Sequence, residues 1–170
     1  MKSPFSDLFL AIQGRITANI RDIAYTDQDL GQLAAKGRPP VSWPCALIDF
    51  EDFRFEELAE NVQTASGIVV IRMGFAPHSN TSSISPKDYR EMALGYYELE
   101  VQLHSALQGW SPDGNYFGHM QRISAATQRR TDTYRVRELR YSIAFEDYST
   151  KWGQQKAPAT LVITETIALQ

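Results

Sequence analysis

The chain has 170 residues, of which 43% are hydrophobic and 22% charged, and its formal net charge is −3. This is globular composition, which excludes the charge-rich, core-poor regime of a disordered chain. The absence of a basic excess also argues against sequence-specific nucleic acid binding or attachment to an anionic membrane.

The single cysteine, Cys45, leaves no intrachain disulfide to form. The opening MKSPFSDLFLAI does not read as a signal peptide, because Asp7 interrupts the apolar stretch and no small-residue cleavage site follows. The longest apolar run, Ile68 to Ile71, is too short to span a bilayer. A cytoplasmic protein is expected, with residues 1–170 forming one domain.

In chain order, Phe5, Leu8, Phe9, Ile12, Ile16, Ile20 and Ile23 recur at helical spacing and predict a helix from about Pro4 to Asp22. Ser3 is placed to cap it, with Pro4 at its first position. Residues 26–44 read as a long connection containing at most a helical turn near Leu30–Ala35. A strand is predicted over Cys45–Phe55, then a polar connection over Glu56–Asn61. A second strand covers Thr64–Phe75, and its Ile68-Val69-Val70-Ile71 centre, apolar on both faces, belongs in the middle of a sheet. Ser85-Pro86 starts a second helix whose buried stripe is Tyr89, Met92, Ala93, Tyr96, Leu99, Leu103 and Leu107, with Gly109 as its stop. Three strands follow, near His119–Thr127, Tyr134–Glu146 and Ala159–Leu169. In the middle one Leu139, Tyr141, Ile143 and Phe145 share a face opposite Glu138, Arg140 and Ser142. The order α-β-β-α-β-β-β predicts an α+β fold, with a largely antiparallel sheet of about five strands against two main helices.

The residues give no catalytic motif. His78, His104 and His119 lack metal-ligand spacing, and no cysteine pair exists. The glycines are scattered, and no phosphate-binding loop or nucleophile elbow is present. No catalytic residue, metal or cofactor is therefore assigned. Two alternatives remain open. One is an enzyme site assembled from Cys45, His104, His119 and carboxylates. The other is a small adaptor or ligand-binding module using Tyr96, Tyr97, Trp110, Tyr116 and Phe117 as an aromatic groove.

Charge is distributed in blocks. Asp49, Glu51, Asp52, Glu56, Glu57 and Glu60 are opposed only by Arg54. Between Gln121 and Arg140 lie six arginines and no lysine: Arg122, Arg129, Arg130, Arg135, Arg137 and Arg140. Arginine's planar fork suits fixed ion pairs. Opposite blocks on one subunit allow head-to-tail contact between copies, which closes into a ring if the rotation permits. The candidate subunit-interface residues are Asp49, Glu51, Asp52, Glu56 and Glu57 on one side, with Arg129, Arg130, Arg135 and Arg137 on the other. Cross-strand pairing within one copy is the competing use of the same charges.

The element order, the proline-led strand Pro44-Cys45-Ala46-Leu47-Ile48-Asp49, the strand bearing Gln63 and Gly67-Ile68-Val69-Val70, and the helix ending Leu107-Gln108-Gly109 together resemble the tail terminator (tail completion) proteins of long-tailed bacteriophages and prophages. The resemblance covers most of the chain and lies in element order and length. It implies a structural virion protein, a homo-oligomer forming a commonly hexameric ring at the head-proximal end of the tail tube. The partners it implies are the tail tube and head–tail connector proteins. The location it implies is the virion tail, after assembly in the bacterial host cytoplasm.

Overall fold

The computed structural model describes residues 3–34, 39–76, 81–112, 116–130 and 134–152. The first apolar stripe forms α1, Pro4–Asn19, with Pro4 in the first turn. Ser3 occupies the N-cap position as expected but makes no side-chain capping bond, and the first helical bond runs from the Asp7 N–H to the Ser3 carbonyl at 3.1 Å. Leu8, Ile12, Ile16 and Ile20 are fully withdrawn from solvent, and each contributes about 1.5–3 kcal/mol by its burial. The helix ends before the predicted Asp22, and the chain then enters a strand the sequence reading took for a connection. This β1, Tyr25–Gln28, runs parallel to the start of β2, Cys45–Ala59, with Tyr25 opposite Cys45 and Gln28 opposite Ile48. Four residues are too few to show a period. The strand is held by its ends, where Ala24 N–H donates to Pro44 O at 2.8 Å and Asp29 N–H to Ile48 O at 2.9 Å. A 3-10 turn at Gln32–Ala34 falls where a helical turn was expected.

β2 continues past Phe55 to Ala59, so the predicted polar connection Glu56–Asn61 is largely strand. Glu56 pairs with Thr64 and Glu57 with Gln63 of β3, Val62–Phe75. Its polar composition reflects exposure rather than loss of pairing. A bulge between Glu51 and Arg54, with Asp52 at φ 56°, re-aims Phe53 toward the helix-covered face. There Gly67 makes room for it: a Cβ on Gly67 would stand 2.4 Å from the Phe53 ring.

The second predicted helix is two helices, α2 (Lys87–Leu94) and α3 (Tyr96–Leu107), parted by a turn at Gly95, whose N–H reaches the Met92 carbonyl at 3.2 Å. The break rotates the stripe. Ala93, Leu103, Ala106 and Leu107 are buried, but Tyr89 and Met92, expected inside, are exposed. Gly109, at φ +71°, ends the helical segment as expected.

β4, Gln121–Gln128, and β5, Arg135–Asp147, complete a five-stranded sheet in the order β1-β2-β3-β5-β4. A short helix α4, Ser149–Trp152, follows. The apolar strand β3 is central, as its two-sided hydrophobicity demands. All pairings except β1–β2 are antiparallel. The strand predicted at 159–169 lies outside the described residues. The α+β class stands, with β1 among the five strands.

The sheet has two unlike faces. Ala46, Ile48, Val69, Ile71, Met73, Leu139, Tyr141, Ile143 and Phe145 pack with α1 and α3 into the main core. The other face holds a small cluster of Leu33, Cys45, Leu47 and Val136, flanked by Tyr25, Val41 and Trp43. Its middle is charged.

Candidate subunit interface

That charged middle is organised by Arg72, which alternation along β3 places opposite the core. One Nη donates to Asp29 Oδ2 at 2.7 Å and approaches Asp49 Oδ2 at 3.5 Å. The other Nη reaches Glu51 Oε1 at 2.9 Å, and Nε reaches Glu138 Oε2 at 3.1 Å. Arg140, on neighbouring β5, meets Glu51 Oε2 at 2.8 Å, Glu138 Oε1 at 3.4 Å and Asp52 Oδ2 at 3.8 Å. Gln128 Nε2 adds a hydrogen bond to Glu138 at 2.9 Å. Burial works against the Arg72 charge, but hydrogen bonds to Asp29 and Glu51 hold its pKa above the ordinary value. Burial likewise raises Glu138, yet the hydrogen bonds from Gln128 and Arg72 outweigh it and leave its carboxyl below the usual range.

Three of the candidate interface acids, Asp49, Glu51 and Asp52, therefore face cations of their own protomer. Arg72, missed by the sequence reading, is the hub. Its signal was legible: a charge inside an otherwise apolar central strand needs partners on the opposite face.

The arginine block divides in the same way. Arg137 lies on the helix side of β5 and clamps Glu100 of α3, with Nε–Oε2 at 2.6 Å and Nη2–Oε1 at 3.0 Å, while Nη1 reaches Thr127 Oγ1 at 2.7 Å. The Glu100 hydrogen bonds raise its pKa above the ordinary arginine value. Arg135 stacks over Tyr96 at 4.6 Å. Arg130 donates to the Leu33 carbonyl at 2.5 Å. Arg129, Glu56 and Glu57 are exposed and form no ion pair among the described residues. The predicted opposite charges that remain unsatisfied thus sit at the far half of β2 and the end of β4.

The residues named for an enzyme site do not gather. Cys45 lies buried in the small cluster, its thiol pushed up to about 11 by burial. His104 is on the other side of the sheet, beside Tyr141 at 6.3 Å between ring centroids. Burial and nearby Arg122 lower its pKa. His119 and Asp52 do share a shallow open groove on the charged face, but no hydrogen bond links them. The aromatic candidates are also divided. Phe117 packs on Phe145, Trp110 sits under Arg15, and Tyr116 meets Tyr148. Tyr96, pressed against Phe75 and Tyr97, lines a cavity of about 820 Å³ with Trp43, Met92, Tyr134 and Arg135. Trp43 and Tyr134 stack there at 4.9 Å.

No family model matches the sequence, and no curated protein matches it. Among solved structures, the fold is that of a chain in the "Virion of native gene transfer agent (GTA) particle". The superposition has a TM-score of 0.56 at 14% identity and covers 86% of this chain and 100% of that one. At that identity the likeness is one of fold. No helix among the described residues is long and apolar enough to cross a membrane.

Proposed function

We propose that this chain is a structural component of a phage-like particle, of the tail terminator (tail completion) type. It assembles into a ring, six-membered as is common in that family, at the head-proximal end of the tail tube. There it contacts the tube and the connector proteins. The observation that carries this reading is the fold shared with a virion chain along that chain's whole length.

The division of charge supports it. Asp49, Glu51 and Asp52 help to rigidify the sheet through Arg72 and Arg140, while Glu56 and Glu57 remain for a neighbour. Arg137 is held by Glu100, while Arg129, with Arg130 and Arg135 nearby, offers the complementary side. The chain carries no catalytic step in this reading, and its work is done by contact.

The test is co-sedimentation of the purified chain with tail tubes of its cognate particle, followed by negative-stain imaging. Rings at one end of each tube are expected. Monomers that stay in the supernatant would contradict the proposal.

A further inference from the structure

Among the described residues, two strand edges on opposite sides of the sheet have no main-chain partner. β4 is the last strand, and every residue from Gln121 to Thr127 is exposed. Its start is capped, because Met120 exchanges hydrogen bonds with Gly109 and Trp110 and Arg122 N–H donates to Gln108 Oε1. From Ser124 onward its outer main chain has no partner among the described residues. On the other side, β1 covers only Cys45–Ile48 of β2, so the exposed outer edge from Arg54 to Ala59 likewise has no main-chain partner among the described residues. The edge of β1, four residues long, is partly taken up by side chains: Gln13 Nε2 donates to Thr26 O at 2.9 Å and Gln32 Nε2 to Gln28 O at 2.8 Å.

Natural sheets blunt such edges with charges, prolines or bulges. Past a bulge at Ile123, five uncharged residues, Ser124 to Gln128, pair regularly in β4 before Arg129. The β2 edge instead carries Glu56 and Glu57, which repel a second β2 edge and attract the arginines. Both edges also expose apolar side chains, Ile123 at 51% on β4, and Phe55 at 44% and Leu58 at 55% on β2.

We infer that copies join edge to edge, the outer edge of β4 in one copy pairing backbone to backbone with the far half of β2 in the next. This rests on the assembly reading above and names the surfaces it uses. The five residues Ser124–Gln128 of β4, set against Arg54–Ala59 of β2, give roughly 17 Å of added ladder. Main-chain hydrogen bonds supply the contact, and the charge pattern selects β4–β2 over β4–β4 or β2–β2. The two edges differ and lie on opposite sides, so the contact is heterologous and propagates from copy to copy, closing into a ring when the rotation permits.

Single-cysteine cross-linking tests it, with Cys45 as a silent background because it is buried. Ala125→Cys or Ala126→Cys is mixed with Glu56→Cys or Glu57→Cys, the four mixtures spanning one pleat period, and oxidised. Disulfide-linked dimers are expected in at least one mixture and in no variant alone. In parallel, E56K/E57K and R122E/R129E should each lose at least tenfold in assembled fraction, and mixing them should restore it, since each then meets its complement. Self-linking of Ala126→Cys would mean symmetric β4 pairing and overturn the assignment. So would wild-type oligomers that give no cross-link and tolerate both charge reversals, while leaving assembly itself intact. Wild-type chains that stay monomeric at every concentration and on tail tubes would defeat the assembly reading too.

Discussion

Replacing Arg72 by methionine removes a cation that touches Asp29, Asp49, Glu51 and Glu138 together. The Arg72 side chain is 20% exposed, and its partners range from 8% to 38%. The site therefore falls between a surface pair, worth about 0–1 kcal/mol, and a buried pair broken by loss of one partner, about 3–5 kcal/mol. Arg140 still serves Glu51 and Glu138, but Asp29 and Asp49 lose their cation. A cost of about 3 kcal/mol follows, equivalent to roughly 6–12 °C in Tm for a chain of this size. Urea denaturation followed by circular dichroism measures it. The pH dependence is a second, independent readout. Because the Glu138 carboxyl sits below its ordinary value when folded, its stabilisation is complete above about pH 4.3. It is lost as pH falls through the lower folded value. The gap between wild type and Arg72→Met should therefore close on acidification. A loss under about 1 kcal/mol at pH 7, or a gap that does not narrow as the pH is lowered, would refute the hub assignment.

Other perturbations test separate parts of the structure. Glu100→Gln leaves Arg137 buried beside a weaker partner and should cost about 3 kcal/mol, whereas Glu100→Leu combined with Arg137→Met should recover most of it, by chemical denaturation. Gly67→Ala drives a Cβ to 2.4 Å from the Phe53 ring and should cost about 1–3 kcal/mol, with most of the added cost gone in a Phe53→Ala background. The Tyr141 hydroxyl is buried with no hydrogen-bond partner among the described residues, so Tyr141→Phe should be neutral or stabilise by up to about 1 kcal/mol in thermal melts. His104 has a lowered pKa in the fold. Its contribution is full above the ordinary histidine value of about 6.5 and is lost as pH falls toward the folded value. His104→Phe should therefore flatten the stability profile over that window.

Period and composition made the main frame legible. The four-residue spacing of Leu8, Ile12 and Ile16 predicts α1, and the two-sided apolar run Ile68–Ile71 predicts the central strand, because burial imposes both patterns directly. β1 was not legible, since Tyr25–Gln28 is too short for a period and is held by contacts to Pro44 and Ile48 far along the chain. The far end of β2 was misread because its outward residues are acidic on an exposed edge. The turn at Gly95 was hidden by a stripe that continues to look helical across it.

The candidate interface was legible as two charge blocks but not as a selection among their members. Which acids meet Arg72 depends on cross-strand register, which puts Glu138 of β5 directly opposite it and Asp49 and Glu51 just along β2, and is invisible in linear order. That register separates Asp49, Glu51 and Asp52, compensated at home, from Glu56 and Glu57, which face outward.

Native mass spectrometry of the purified chain bears most directly on whether it builds a closed assembly. The account predicts one dominant species at six times the 19.2 kDa protomer mass, disappearing in E56K/E57K and returning when that variant is mixed with R122E/R129E. A protomer-only spectrum at every concentration, or an open-ended series of masses with no preferred closure, would contradict it.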